Sequence, residues 1–188
     1  MCLCDTAVYV AAPPTYQLNE RAKRAILMWL SIAHDKSIDE WITERHYLHT
    51  APATSRYRMW FVEGSKEQFV DDTKKVGAML WGKPSARLLD QNTLLELYRM
   101  YFIENTEKNA ESKALAMARR WIRRNAPEIK GLIAYSSTGQ NHTGTIYAAD
   151  NWFTLGDRKD SNTKWATRFD GERSNIDLSR KLFWARSP

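Results

Sequence analysis

Hydrophobic positions in the N-terminal part of the chain repeat at a helical period. Between Leu18 and His34, apolar residues recur every three or four positions and predict a helix that begins with Asn19 as its N-cap. A second short helix is predicted around Ile38 to Glu44, directly before His46 and Tyr47. These two segments therefore predict helices ahead of any long strand.

The middle of the chain changes to short apolar runs bounded by Gly, Pro or polar residues, which are typical of strands. These runs are Arg56 to Glu63, Lys75 to Trp81 and Leu94 to Ile103. The helical period then returns from Ala110 to Arg124, with small and branched apolar residues on one face and arginines on the other. Pro127 ends this helix.

The last third predicts a strand, a short helix and further strands. Ile129 to Tyr135 is apolar, a polar turn follows, and a short helix carries Tyr147. The segments Trp152 to Leu155, Lys164 to Phe169 and Leu182 to Arg186 predict more strands. This order predicts a mixed α/β (α+β) fold in which one sheet carries helices on its faces.

Length and composition place the chain among ordinary globular proteins. Its 188 residues suit one domain covering residues 1–188, and 43% hydrophobic with 27% charged residues excludes a disordered chain. No apolar run approaches the ~18 residues of a membrane helix, and no basic region precedes an apolar core as in a secretory signal. Cys2 and Cys4 do not have the spacing of a redox or zinc motif. We therefore expect a cytoplasmic protein.

The charge is strongly basic and clustered. The formal net charge is +6, with a sequence pI of about 9.3, and the chain holds eight Trp and eight Tyr. The basic residues expected to contact nucleic acid are Arg119, Arg120, Arg123, Arg124 and Lys83. Basic clusters with aromatic residues suit a phosphate backbone and a stacked base. A solvated basic surface around a core of aromatics fits the composition equally well.

Two helix starts could bind a ligand. The turn from Asn105 to Ser112 opens the basic helix, whose N-terminus can attract an anion, so Asn109 or Ser112 could contact a phosphate or simply cap the helix. His142 and Gly144 open the helix that carries Tyr147, where Gly144 allows close approach of a ligand and the tyrosine could act as an acid. A buried structural tyrosine is the alternative.

His46 and Tyr47 form a pair that could bind metal or contact a base. No Asp, Glu or Cys pattern accompanies them, so a structural role fits the residues better than a metal site. The motifs GxGxxG and GKS/T are absent, and so is a Cys-His or Ser-His-Asp set. Dinucleotide folds and P-loops therefore have no support.

Taken together, these segments resemble the Mom family of bacteriophage DNA-modification proteins, which looks like a divergent branch of the GCN5-related acetyltransferase superfamily. The resemblance rests on five blocks in order along the chain: His46-Tyr47, Met79 to Pro84, Glu96 to Arg99, Asn109 to Ser112 before the RRWIRR helix, and His142 to Trp152. It implies a mostly antiparallel sheet, and an enzyme that converts the N6 amino group of adenine in duplex DNA to a carbamoylmethyl (acetamido) derivative. This modification protects phage DNA from host restriction.

The resemblance also implies roles for individual residues. Arg99, Ser112 and Tyr147 match positions thought essential in the family, His46 and Tyr47 match a proposed iron-binding pair, and Ser137 stands where the family often has an acidic residue. The residues expected to hold the donor are Asn109, Ser112, Lys113, His142, Gly144 and Asn151. The usual phosphate loop of acetyltransferases is missing, so acetyl-CoA and glycyl-tRNA both stay open as donors.

Several functions remain to be distinguished at this point. The expected partner is double-stranded DNA, with tRNA as a second partner if it is the donor, and the oligomeric state is not determined. The candidates for stacking an extruded base are Trp60, Trp81, Tyr98 and Trp152. The alternatives are an acyltransferase acting on another base, on a small-molecule, protein or tRNA amine, and a non-enzymatic DNA-binding protein.

Overall fold

Seven strands pair into one sheet in the computed structural model, which describes residues 28–64, 74–138, 143–158 and 181–188. The strands are β1 (Met28–Ala33), β2 (Tyr57–Glu63), β3 (Lys75–Gly82), β4 (Leu94–Phe102), β5 (Gly131–Ser137), β6 (Phe153–Arg158) and β7 (Lys181–Arg186). The helices in these ranges are α1 (Ser37–Arg45), α2 (Ala110–Asn125) and α3 (Thr145–Ala149).

The strand order in the sheet is β1-β2-β3-β4-β5-β7-β6. Five of the neighbouring pairs are antiparallel, and β4 with β5 is parallel, because α2 carries the chain back between these two strands. The predicted fold class is therefore confirmed, as a mixed and mostly antiparallel sheet with flanking helices. The order also places β7 between β5 and β6, so β7 is next to the edge strand on this side of the sheet.

Each face of the sheet has its own core because side chains alternate along a strand. On β2, Met59 and Phe61 pack with the buried face of α2, whereas Trp60 and Val62 pack on the other face. The second core includes Ile38 and Ile42 of α1, and residues of both cores are close to fully buried. The two helices α1 and α2 therefore hold the sheet from opposite sides.

The first predicted helix is wrong over its last part, because residues 28–33 form strand β1. Six residue pairs join β1 to β2, from Met28↔Glu63 to Ala33↔Arg58. Met28 packs toward one core and Trp29 toward the other, an alternation that a helix could not provide. Pairing with β2 thus overrides the local helical period. The rest of that segment, and Lys164 to Phe169, lie outside the described residues.

The other predicted elements agree with the structure within a few residues at their ends. None of the helices in the described ranges has the length and apolar character needed to cross a bilayer.

Candidate active site

Strands β4 and β5 pair over a short distance and then separate. Their ladder ends at Leu97↔Ala134, while β4 continues to Phe102 and β5 to Ser137. On its other side, β4 shifts register against β3 and leaves Tyr98 as an extra residue, a bulge that redirects the strand. The facing edges of β4 and β5 beyond this point open into a gap instead of forming a ladder.

A cavity of about 1340 Å³ occupies this gap. Sites for one small molecule are typically ~300–1,000 Å³, so this cavity has room for two reactants. The predicted site residues that line it are His46, Tyr47, Lys83, Arg99, Ser137, Gly144 and Tyr147. Residues from three distant parts of the sequence therefore meet at one place.

Tyr147 reaches the cavity from the short helix α3. Its ring is stacked on Trp184 at 5.6 Å between centroids and meets Trp152 edge-on at 5.4 Å. Burial raises the pKa of the Tyr147 phenol, and the nearby Tyr47 raises it further. A phenol is protonated at neutral pH in any case; the raised pKa excludes a role as a base and makes the phenol a weaker acid, which can still donate a proton to an atom placed beside it.

Arg99 supplies a fixed positive charge to the same cavity. Its Nε donates to the carbonyl of Thr50 at 3.1 Å, its Nη2 to Thr50 Oγ1 at 3.2 Å, and its Nη1 to the carbonyl of Tyr98 at 2.6 Å. Burial lowers the pKa of the Arg99 guanidinium, while Tyr47 and Glu96 oppose this change. Arginine nevertheless stays charged at neutral pH, so Arg99 can stabilise negative charge on a bound group.

Helix α1 positions the His46–Tyr47 pair. The His46 backbone N–H donates to the carbonyl of Ile42 at 2.7 Å, so His46 ends the helix. The helix itself is fixed to β2 by Asp39, which accepts two hydrogen bonds of 2.8 Å from Arg58. The pair is thus held at the cavity wall by a helix that a bidentate Arg58–Asp39 ion pair fixes to β2.

The residues present do not fit an iron site. Nδ1 of His46 accepts the N–H of Leu48 at 3.2 Å, which places the proton of the neutral ring on Nε2, so neither nitrogen presents a lone pair to a metal. Ser137, the residue at the position where the family resemblance expects an acidic side chain, offers a hydroxyl and no carboxylate. Across the part of the chain that the structure describes, no three His, Cys, Asp or Glu residues are grouped to hold a metal. The His46 ring is instead stacked on Tyr47 at 4.5 Å.

Glu96 is a site residue that the pattern analysis did not single out. It lies on β4, it is 6% exposed, and its carboxylate lines the cavity. The carboxylate accepts the backbone N–H of Ser85 at 2.7 Å and the Ser85 hydroxyl at 2.9 Å. The sequence does indicate this residue, because Glu96 stands between two leucines of a strand and a charge at a buried position needs a partner.

Gly144 is needed by the protein's own core. A Cβ at Gly144 would lie 2.1 Å from the Trp184 ring, and the φ angle of +79° disfavours other residues. The Trp184 indole N–H in turn donates to Ser136 Oγ at 3.0 Å. The close approach predicted at this glycine is therefore made by Trp184, although Gly144 also borders the cavity.

The predicted donor-binding residues at the N-terminus of α2 do not line the cavity. Among the residues of this turn, Glu111 is the one that does. Asn109 has a left-handed φ of 66° and makes no side-chain cap. Ser112 donates its hydroxyl to the carbonyl of Asn109 at 3.1 Å, and Lys113 pairs with a nearby glutamate. Asn151 lies beyond α3 and does not line the cavity either, and His142 lies outside the described residues.

The arginines of α2 fall into two groups, one ion-paired inside the protein and one exposed. Arg119 forms a buried ion pair with Asp150, with distances of 2.7 Å from Nε and 3.0 Å from Nη2, so its guanidinium is engaged inside the protein. Arg120, Arg123 and Arg124 are exposed. At 1.5 Å per residue, Arg123 lies roughly 18 Å along α2 from Glu111 at the cavity.

The aromatic candidates for base stacking also differ in where they lie, either in the core or at the cavity. Trp60, Trp81 and Trp152 are between 0% and 5% exposed and belong to the core. Tyr98 is half-buried and lines the cavity, where burial raises the pKa of its phenol. Of the predicted stacking residues, Tyr98 is the one that borders the space for a ligand.

The sequence profile of the Mom protein family matches residues 28–180 of the chain. No curated protein matches this chain. Among solved structures, Arabidopsis thaliana NAA60 in complex with acetyl-CoA has a TM-score of 0.56 at 8% identity, over 86% of this chain and 98% of that one. An IAA acetyltransferase from Bacillus cereus has a TM-score of 0.54 at 10% identity, over 86% of this chain and 100% of that one. At this identity the likeness shows the fold, which is that of the GCN5-related acetyltransferases.

Proposed function

Because the chain belongs to the Mom protein family, we propose that it is a DNA-modifying transferase with an acyltransferase-like mechanism. Its acceptor is N6 of adenine in duplex DNA, and its product is the carbamoylmethyl derivative that protects phage DNA from restriction. The observation that carries the proposal is the cavity at the β4–β5 gap, where Tyr47, Arg99 and Tyr147 meet in an acetyltransferase fold.

The reaction requires a pocket for a base that has left the duplex and groups that act on the donor, and the lining of this cavity supports both requirements. Adenine N6 is a weak nucleophile inside a base pair, so the base must leave the stack and enter a protein pocket. When N6 attacks the donor carbonyl, the bond to the leaving sulfur or oxygen breaks, and Tyr147 gives its proton to the leaving atom. With a glycyl donor, this step gives N6-glycyladenine. An isomerisation that exchanges the two nitrogens between the carbonyl and methylene carbons then gives the carbamoylmethyl product without gain or loss of atoms. The proton that N6 loses restores the phenol. Arg99 stabilises the carbonyl oxygen as negative charge develops.

Two donors remain candidates. Acetyl-CoA is supported by the complex of the Arabidopsis protein of similar fold, and transfer of its acetyl group would give N6-acetyladenine in place of the carbamoylmethyl derivative. Glycyl-tRNA is supported by atom balance, because a glycyl group has the same atoms as a carbamoylmethyl group, whereas an acetyl group lacks the nitrogen. A glycyl group attached through its carbonyl is an isomer of the product attached through its methylene, so fragmentation of the nucleoside separates them.

The test is mass spectrometry of nucleosides from plasmid DNA of bacteria that express the chain. We expect a new adenine nucleoside with the carbamoylmethyl mass, and purified protein given each labelled donor in turn will show which one supplies the atoms. A modified thymine or cytosine would retain the reaction and change the base. Soluble protein with unmodified DNA would contradict the proposal and direct the search to tRNA and small amines as acceptors.

The exposed arginines of α2 predict how DNA affinity depends on salt. Replacing Arg123 and Arg124 by alanine should weaken duplex binding and reduce the slope of log K against log salt by about 2, since each phosphate contact contributes ~0.9. Fluorescence anisotropy at several salt concentrations measures this slope. Lys36→Ala, at an exposed position beside α1, is the control and should leave the slope unchanged. An equal slope for the double variant would move the DNA surface away from α2.

A further inference from the structure

The loop between β3 and β4, residues 83–93, projects from the rim of the cavity. Lys83, Pro84, Ser85, Ala86 and Gln91 of this β3–β4 loop line the cavity wall. The loop therefore borders the site and also reaches the protein surface, where Arg87 and Leu88 are exposed.

Hydrogen bonds hold the β3–β4 loop in one shape. At its start, the buried Glu96 carboxylate accepts the N–H and the hydroxyl of Ser85. Across its middle, the Gln91 side-chain amide donates to the carbonyls of Ala86 at 3.1 Å and Leu89 at 3.0 Å. The tip between these anchors is thus presented on a preorganised base.

Leu88 stands at this tip and is 101% exposed, more than the other exposed large hydrophobic residues in the described ranges. Exposed leucines are common when scattered, so exposure alone carries no conclusion. Here, however, the side chain directly follows the exposed Arg87 on the same loop as the exposed Lys83, and the exposed Asp90 lies two residues beyond it. An apolar tip next to cations suits a base step whose flanking phosphates the cations contact.

We propose that Leu88 is an intercalating wedge, which enters the DNA base stack and drives the target adenine into the cavity. The inference rests on the proposed function and assigns the residue that opens the duplex. Arg87 and Lys83 contact phosphates next to the step that Leu88 enters, and Leu88 fills the space left by the extruded base. Apolar wedges of this kind unstack base steps in other DNA complexes.

The spacing is consistent with this role. Leu88 is two residues from Ala86 at the cavity wall, so their Cα atoms are at most about 7 Å apart. Successive bases on a strand are about 3.4 Å apart along the axis, so this distance corresponds to about two base steps. A base displaced by Leu88 therefore starts next to the cavity entrance.

The decisive experiment compares Leu88→Ala with the wild-type chain on three oligonucleotides. They place the same adenine opposite thymine, opposite an abasic site, or in a single strand. We expect Leu88→Ala to slow modification of the paired adenine by about tenfold or more, and to act on the other two at close to the wild-type rate, because those adenines need little or no force to leave the stack. Leu155→Ala, which removes an exposed leucine on β6, should behave as wild type on all three.

Equal loss on all three substrates, or no loss on the paired adenine, would overturn the wedge. A second measurement does not require catalysis: 2-aminopurine in place of the target adenine should fluoresce more strongly when wild-type protein binds, and not when Leu88→Ala binds at saturation. No increase with the wild-type chain would also overturn it. Failure of the proposed function is seen separately, as the absence of modified adenine with every substrate.

Discussion

Replacing Tyr147 by phenylalanine should abolish DNA modification, by at least about 100-fold, while leaving duplex affinity nearly unchanged. The substitution removes one hydroxyl and keeps the ring that packs on Trp152 and Trp184. A positioned acid contributes ~10²–10⁴-fold to a rate, and this buried phenol is protonated at neutral pH. Single-turnover rates on a duplex oligonucleotide measure the loss, and anisotropy measures binding.

The matched control is Tyr57→Phe, since Tyr57 packs edge-on against Trp121 away from the cavity and burial also raises the pKa of its phenol. This variant should retain full activity. If Tyr147→Phe lost affinity or thermal stability in parallel with activity, the hydroxyl would be structural. If it kept the wild-type rate, another group would be the acid.

The largest expected loss of stability is for Asp150→Ala, about 3–5 kcal/mol, because the change leaves the buried Arg119 guanidinium without its partner. The Asp150 carboxylate accepts both hydrogen bonds from Arg119 and the Trp152 indole N–H at 2.9 Å, and its side chain is 6% exposed. Arg186 of β7 donates to the Asp150 carbonyl. Urea unfolding of the variant measures the change in the free energy of unfolding.

The double variant Arg119→Met with Asp150→Asn is the control, because it leaves no isolated charge and keeps a side-chain oxygen that can accept the Trp152 indole N–H. It should recover most of the loss. A cost for Asp150→Ala below about 1 kcal/mol would mean that the pair is solvated and worth no more than a surface ion pair. Arg119 would then become available again as a DNA contact.

Arg119 and the other arginines of α2 have different roles that their local sequence does not distinguish. All the arginines of α2 lie opposite its apolar face in the pattern, and nothing local separates them. Arg119 differs from Arg123 because Asp150, far along the chain, approaches it when α3 packs beside α2. A long-range partner of this kind leaves no trace in the periodicity of either segment.

The helices and strands from α1 to β7 that lie in the described residues were predictable from sequence, because each buries a regular stripe or an alternating face and ends at a breaker. The family blocks also indicated His46, Tyr47, Arg99 and Tyr147 as a group. Their meeting in one cavity, however, depends on the bulge at Tyr98 and on the separation of β4 from β5.

By itself, therefore, the sequence determined the fold class, the family and the chemical types in the site. The tertiary structure alone decided that residues 28–33 form a strand, that Trp184 occupies the space at Gly144, and that Leu88 stands exposed beside the cavity. The physical reason is common to these cases. Local patterns record which face of a segment is buried, whereas strand partners, close packing and exposure are settled by residues distant in the chain.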